Sequence, residues 1–239
     1  MESNNKSSIF TNLSQHKAVT LLRILYPVWA IIGLFSLMYA TSGQIVEGDA
    51  AATVRNIMDN ELLFRLGIIG SLITQLIHIL VVFVLYVLFK AVNKTQAIVL
   101  VVLGLVGVPI AMLNDLNHFA VLLIANGADY LNAFSGAQLD ALTMFFLELQ
   151  SVGILIAGIF WGLWLFPLAY LIYNSGYWPR VFGILMAIGG IGYFIGSFIH
   201  LLLPGQETII AIFDVMTFGE VIFMIWVLLR GAKLPETKS

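Results

Sequence analysis

The stretch "LGIIGSLITQLIHILVVFVLYVLF", residues 66–89, decides the fold class of this chain, because none of its 24 residues is Asp, Glu, Lys or Arg. A run of about 20 mostly apolar residues is long enough to cross the hydrocarbon core of a bilayer as one helix. A lone strand cannot do so, since every backbone polar group in lipid needs a partner within the protein. The stretch therefore predicts a transmembrane helix.

The rest of the chain repeats this pattern and predicts an all-α polytopic membrane helix bundle. Only 10% of the 239 residues are charged, whereas a soluble domain carries about a quarter. Six segments are predicted to span the membrane: 18–41, 64–89, 96–124, 146–173, 180–203 and 208–229. They form a transmembrane domain over 18–230, between an N-terminal tail (1–17) and a C-terminal tail (231–239).

The basic residues predict the orientation, because cytoplasmic loops are enriched in Lys and Arg. Nine of the eleven fall on one side: Lys6, Lys17, Arg23, Lys90, Lys94, Arg180, Arg230, Lys233 and Lys238. Only Arg55 and Arg65 fall on the other side. We therefore expect a multi-pass protein of the bacterial inner (plasma) membrane with both tails in the cytoplasm. The loops at 42–63, 125–145 and 204–207 then face outward.

Two of these outer loops predict short extracytoplasmic helices. "EGDAAATVRNIMDN" (47–60) is typical of a helix capped by Asp49. "SGAQLDALTMFFLEL" (135–149) begins with a capping box, Ser135 followed three residues later by Gln138. We expect this second helix to lie at the membrane interface and to run into the fourth span.

Composition also excludes several kinds of site and partner. The chain has no cysteine, which rules out disulfides, thiolate metal sites and cysteine nucleophiles. A net charge of −2 gives no sign of a nucleic-acid-binding face. The N-terminal segment lacks the apolar core and cleavage site of a signal peptide.

The expected partners are the lipid bilayer, a small-molecule or ion ligand, and a second copy of the chain in a homodimer with twelve spans.

Three separated blocks carry a resemblance to a known family. They are "GDAAATVRNIMDNELLFRLGI" (48–68), "GADYLNAFSGAQLDALTMFFLE" (127–148) and "LAYLIYNSGYWPRVFGILMAIGGIGY" (168–193). In this order they resemble a bacterial membrane family catalogued as domain of unknown function 4386, and the resemblance runs from about residue 20 to residue 232. It implies a multi-pass membrane protein. The family carries no established reaction, so no catalytic residue is transferred.

Polar residues within the apolar segments are the candidate functional residues, because ionisable groups in spans are rare and usually functional. The stretch "MLNDLNHFA" (112–120) is the densest group. The pocket candidates are His78, Asn114, Asp115, His118, Glu148, His200, Asp214 and Glu220. The distance of each side chain from the inner end of its span follows from the helical rise of ~1.5 Å per residue. This distance is roughly 15–18 Å for His78 and Glu220. It is roughly 24–39 Å for the other ionisable candidates, which are Asp115, His118, Glu148, His200 and Asp214.

Spacing along the helices predicts that several of these side chains face the bundle interior. Asp115 and His118 are three residues apart and share one helix face. His200 shares a face with Gly192 and Gly196, and His78 with Gly70 and Thr74; small residues mark close helix packing. We expect a polar pocket that opens outward and is lined by spans two to six.

The chemistry of this pocket has several interpretations. Asp115, His118 and His200 would suit a metal ion, and His118 with His200 would suit a haem. Alternatively, the polar residues form a structural hydrogen-bond cluster. Glu220 suits a proton relay, or a neutral hydrogen bond to Thr74 or Gln75.

Three function classes follow from these interpretations. The protein binds or moves a small molecule or ion through the outer half of the bundle, or it is an accessory membrane protein without a ligand. The third class is an intramembrane metal-dependent hydrolase that acts on lipid, with Glu148 or Asp214 as general base. We favour the first class and leave a catalytic role open.

Overall fold

The computed structural model describes residues 13–235, which fold as helices joined by short loops. The α-helices are α1 (Gln15–Leu34), α2 (Ala50–Asp59), α3 (Glu61–Phe89), α4 (Lys94–Asn114), α5 (Leu116–Ala125), α6 (Gly136–Ser175), α7 (Arg180–Leu202), α8 (Glu207–Met216) and α9 (Phe218–Arg230). A π-helical segment (Phe35–Thr41) and a 3-10 turn (Ser42–Gln44) continue α1. A second 3-10 turn, Asp129–Ala133, precedes α6.

The predicted six-span helical bundle is confirmed. In the part of the chain that the structure describes, six helical segments are long and apolar enough to cross a membrane: Gln15–Gln44, Glu61–Phe89, Lys94–Ala125, Gly136–Ser175, Arg180–Leu202 and Glu207–Arg230. The third span is divided into α4 and α5, and the sixth into α8 and α9. The predicted tails overlap 1–12 and 236–239, so Lys6 and Lys238 lie outside the described residues.

Local capping explains where two helices begin. The Asp49 side chain accepts a hydrogen bond from the Ala52 amide at the start of α2. Ser135 and Gln138 form the predicted capping box at the start of α6. This second helix runs into the fourth span as predicted, since α6 is unbroken from Gly136 to Ser175. That these elements lie outside the cytoplasm stays a prediction.

The six spans pack as a closed ring in chain order. Helix α1 packs against α3, α3 against α4, α4 and α5 against α6, and α6 against α7. The seventh helix packs against α8 and α9, and α9 returns to α1. Spans one and six are the most exposed. In each of them, 22% of the most apolar 18-residue stretch is buried within the protein, compared with 56% in span two. The seam between α1 and α9 is therefore formed by the two most exposed spans.

Apolar side chains fill both ends of the ring. A large cluster around Leu85, Leu88 and Phe223 occupies the end near Lys90. A smaller cluster around Phe64, Val121 and Leu147 occupies the opposite end. His78 contacts Trp164 of the first cluster, and His118 contacts Phe64 of the second.

Candidate functional site

The centre of the ring contains a cavity of about 330 Å³. Along α3 its lining runs from Gly67 to His78, a length of roughly 16 Å at the helical rise. This is the half of α3 farther from Lys90. The polar lining residues are Tyr26, Ser36, Thr41, Ser71, Thr74, Gln75, His78, Gln150, Tyr193, Thr217 and Glu220.

Glu220 is the single carboxyl group among the described lining residues. It is 7% exposed, and its Oε1 accepts a hydrogen bond of 2.7 Å from the Tyr26 hydroxyl. This bond joins α9 to α1 and so crosses the seam that closes the ring. The hydrogen bond that the structure shows for Glu220 is thus with Tyr26, and Thr74 donates to the Gly70 carbonyl in its own helix.

Aromatic rings form the wall around this carboxyl group. The His78 ring lies between Trp29 and Trp164, with centroids 5.7 and 4.9 Å away. Its Nε2 lies 3.2 Å from the Gly104 carbonyl oxygen of α4. The Trp29 ring in turn contacts Tyr26, at 5.6 Å between centroids. His78 is thus a packed histidine that ties span two to span three.

The polar stretch of span three lies behind the cavity wall. Asp115 is 2% exposed, and its Oδ2 accepts a hydrogen bond of 2.8 Å from the Ser71 hydroxyl. Its Oδ1 lies 3.4 Å from His118 Nδ1, which is buried without a hydrogen-bond partner. The His118 ring packs edge-on against Phe64, at 5.4 Å. Ser71 lines the cavity, so it links Asp115 to the cavity surface.

Asn114 extends this network to span four. Its Nδ2 donates to the Gln150 carbonyl oxygen at 2.7 Å. Asn117 donates to both the backbone and the side-chain oxygen of Asn114, at 3.0 Å each. The Asn114 side chain fills the space that a Cβ at Gly153 would need. The network therefore fastens span three to its two neighbours.

The remaining candidates lie away from the cavity. His200 Nε2 is 3.3 Å from Asp214 Oδ1, with side chains 28% and 60% exposed. Glu148 is exposed on α6. Gly192 and Gly196 lie on the face of α7 that packs against Phe213 of α8. Their lack of side chains lets spans five and six approach closely.

Two sequence predictions about the site are corrected by this geometry. Asp115, His118 and His200 do not form one ligand set, and between residues 13 and 235 no three His, Asp or Glu side chains are grouped to hold a metal ion. His118 lies near Asp115 of its own span, whereas His200 of span five lies near Asp214 of span six; a haem shared by the two histidines stays a prediction. The predicted lining also omitted span one, which supplies Tyr26, Trp29 and Ser36.

With this geometry established, the sequence comparisons give the family. A family model described as Domain of unknown function (DUF4386) matches residues 24–231. The chain belongs to the DUF4386 family. It is also similar to an uncharacterized protein of Archaeoglobus fulgidus, with 29% identity over 173 residues, which is 72% of this chain and 88% of that protein. No solved structure matches it.

Three helix irregularities of this DUF4386 protein adjoin the cavity. The π-helical segment contributes Ser36 and Thr41, and the interruption between α8 and α9 contributes Thr217. The interruption between α4 and α5 falls at Asp115, beside Ser71. Single π turns are frequent at functional sites, and interrupted spans often form the binding sites of transporters. The cavity thus combines one carboxyl group, aromatic walls and a locally irregular backbone.

Proposed function

We propose that this DUF4386 protein binds a small organic amine in the central cavity and moves it within or across the membrane. The observation that carries the proposal is Glu220, a single carboxyl group in a chamber walled by Tyr26, Trp29 and Trp164. An ammonium group is attracted both to a carboxylate and to the faces of Trp and Tyr rings.

The size and lining of the cavity support an organic ligand. Small-molecule sites typically measure about 300–1,000 Å³ and are mostly apolar, with a few well-placed polar groups. An inorganic divalent cation prefers about six converging oxygen ligands. The described lining offers one carboxyl group, and Tyr26 already donates to it.

The charge of the lining narrows the ligand class. Among the described lining residues there is no Lys or Arg, so an anionic ligand would be buried without a cationic partner, which is costly. A neutral ligand would leave the Glu220 carboxyl group without a charged partner. A cation with an aromatic or aliphatic body matches both the carboxyl group and the rings.

We also propose in which membrane the protein lies and which side its termini face. The excess of Lys and Arg at one end of the bundle supports a bacterial inner-membrane protein with both termini in the cytoplasm. In that orientation the cavity extends from the middle of the bundle, near Tyr26 and Glu220, toward the outer end, near Thr41 and Gly67.

Quenching of tryptophan fluorescence tests the binding proposal. The probes are 4-bromobenzylamine, 4-bromobenzyl alcohol and 4-bromobenzoate, which share a quenching bromoaryl ring and differ in charge. Trp178→Phe with Trp226→Phe removes the two tryptophans that do not line the cavity and leaves Trp29, Trp161 and Trp164 as reporters. We expect saturable quenching that is tightest for the amine and weakest for the benzoate.

A matched pair of variants on α1 provides the control. Ala30 lines the cavity, and Ala30→Phe should fill it and abolish saturable quenching. Val28 is 39% exposed and outside the lining, so Val28→Phe should bind like the parent. Equal, non-saturating quenching by all three probes in every variant would contradict the proposal.

A further inference from the structure

We propose that the ligand enters the cavity sideways from the lipid bilayer, through a lateral portal between spans one and six. The lateral portal consists of Leu34, Leu37, Phe218 and Val221, which all line the cavity. The inference rests on the proposed function and adds that the ligand is an amphiphilic amine dissolved in the membrane.

Exposure identifies where the cavity reaches the protein surface. The four portal side chains are 54%, 40%, 59% and 40% exposed, in the order Leu34, Leu37, Phe218 and Val221. Every other described lining residue is buried or half-buried. All four exposed residues belong to the first or the sixth span, so the opening lies between these two helices.

The hydrogen bonds across this seam do not reach the end of the portal that is formed by Leu34 and Leu37. Arg23 donates to the Leu228 carbonyl oxygen at 2.9 and 3.1 Å, and Tyr26 donates to Glu220. For residues 13–235 these are the hydrogen bonds between the two spans; on α1 they all lie on the Arg23 side of Leu34, whereas on α9 Glu220 lies between Phe218 and Val221. Beyond Tyr26, the described residues form no hydrogen bond between the first and sixth spans.

The backbone on both sides of the portal is irregular. The π-helical segment Phe35–Thr41 begins beside Leu34, and the interruption at Thr217 immediately precedes Phe218. Where the i to i−4 ladder is broken, a helix can bend with fewer hydrogen bonds lost. The two walls of the seam are therefore the parts of these spans that separate most easily.

The polarity of the cavity orients an amphiphile. Tyr26 and Glu220 form its polar, buried end, whereas the lateral portal is entirely apolar. On α1, Leu34 and Leu37 follow Tyr26 by eight and eleven residues, or roughly 12–16 Å along the helix. On α9, Phe218 and Val221 lie within two residues of Glu220. An ammonium group bound at Glu220 would thus leave its hydrocarbon part directed to the portal. A phospholipid is not matched, because phosphate recognition relies on Arg or Lys.

The kinetics of probe binding in liposomes test the portal. The double variant Leu34→Phe with Val221→Phe adds bulk to both walls of the opening. We expect the association and dissociation rates of 4-bromobenzylamine, followed by stopped-flow tryptophan quenching, to fall together by about tenfold. The dissociation constant, which is the ratio of the two rates, should change much less than either rate. Phe218→Ala should open the portal and accelerate both rates.

The matched control adds the same bulk to the same helices outside the lining. Ile31 and Ile222 are 65% and 52% exposed and do not line the cavity, so Ile31→Phe with Ile222→Phe should keep the parental rates. Saturable binding with identical rates in all variants would overturn the portal but leave the proposed function standing. The absence of saturable binding in the parent would instead remove the proposed function itself.

Discussion

Two buried carboxyl groups of this protein, Glu220 and Asp115, have similar exposure and very different surroundings. Glu220 is 7% exposed and borders a cavity, with the Tyr26 hydroxyl as its hydrogen-bond donor. Asp115 is 2% exposed and lies between Ser71 and His118, outside the cavity lining. An ionisable residue in a span is therefore not enough to define a site. The open space beside it distinguishes a binding group from a structural one.

The largest expected effect is at Asp115. Asp115→Ala would remove the acceptor of the Ser71 hydroxyl and the carboxylate that lies 3.4 Å from His118 Nδ1, and breaking a buried pair of this kind costs about 3 kcal/mol or more. We expect a large loss of stability in thermal unfolding of the purified protein. Asp115→Asn retains an acceptor for the Ser71 hydroxyl, so its free energy of unfolding should fall by only about 1 kcal/mol. If Asp115→Ala were as stable as the parent, the network would not be structural.

A smaller loss of stability is expected from a substitution at Gly153, where the same hydrogen-bond network meets span four. A Cβ at this position would overlap the Asn114 side chain, so Gly153→Ala should displace it from the Gln150 carbonyl. Overpacking and one lost hydrogen bond together cost about 2 kcal/mol. Gly136→Ala, in the same helix with open space around it, is the control. Equal melting temperatures for the two variants would refute the close fit at Gly153.

At the cavity, Tyr26→Phe should affect stability less than either change in the network. It removes one hydrogen bond across the seam between α1 and α9, which is worth about 1 kcal/mol. Because Glu220 borders the cavity, a ligand or water can replace the lost donor. We expect 4-bromobenzylamine binding to be retained or tightened in this variant. A loss of binding with unchanged stability would instead make the Tyr26 hydroxyl part of the ligand site.

The smallest effect is expected at the exposed pair of His200 and Asp214. Surface ion pairs contribute about 0–1 kcal/mol, and Asp214 is 60% exposed. His200→Ala should therefore change neither the melting temperature nor probe binding measurably. A marked loss of probe binding in this variant would move the site toward the outer ends of spans five and six.

Much of the fold could be predicted from the sequence, because its signals are local. Hydropathy locates the six spans, and Ser135 with Gln138 locates the start of α6. The family resemblance was also visible in three separated blocks, and the family match confirms it. The depth estimates put His200 and Asp214 near the same level, and the structure pairs them.

The arrangement of the site could not be predicted, because apolar spans carry little information about their neighbours. Every span is apolar on most faces, so hydropathy does not reveal that span six returns to span one. Tyr26 was missed for this reason, although a tyrosine next to Pro27, far inside a span, was a usable signal. His118 and His200 were grouped by depth and by an expected inward orientation, and neither determines which helices are adjacent.

The most direct test of the central claim is the head-group preference of Glu220→Gln. The change preserves size and a hydrogen-bond acceptor for Tyr26 but removes the charge. In the parent we expect 4-bromobenzylamine to bind about tenfold more tightly than 4-bromobenzyl alcohol, as one charge-assisted contact of roughly 1.4 kcal/mol implies. In Glu220→Gln the two affinities should become equal. If the variant kept the parental preference for the amine, Glu220 would not be the group that recognises the ligand.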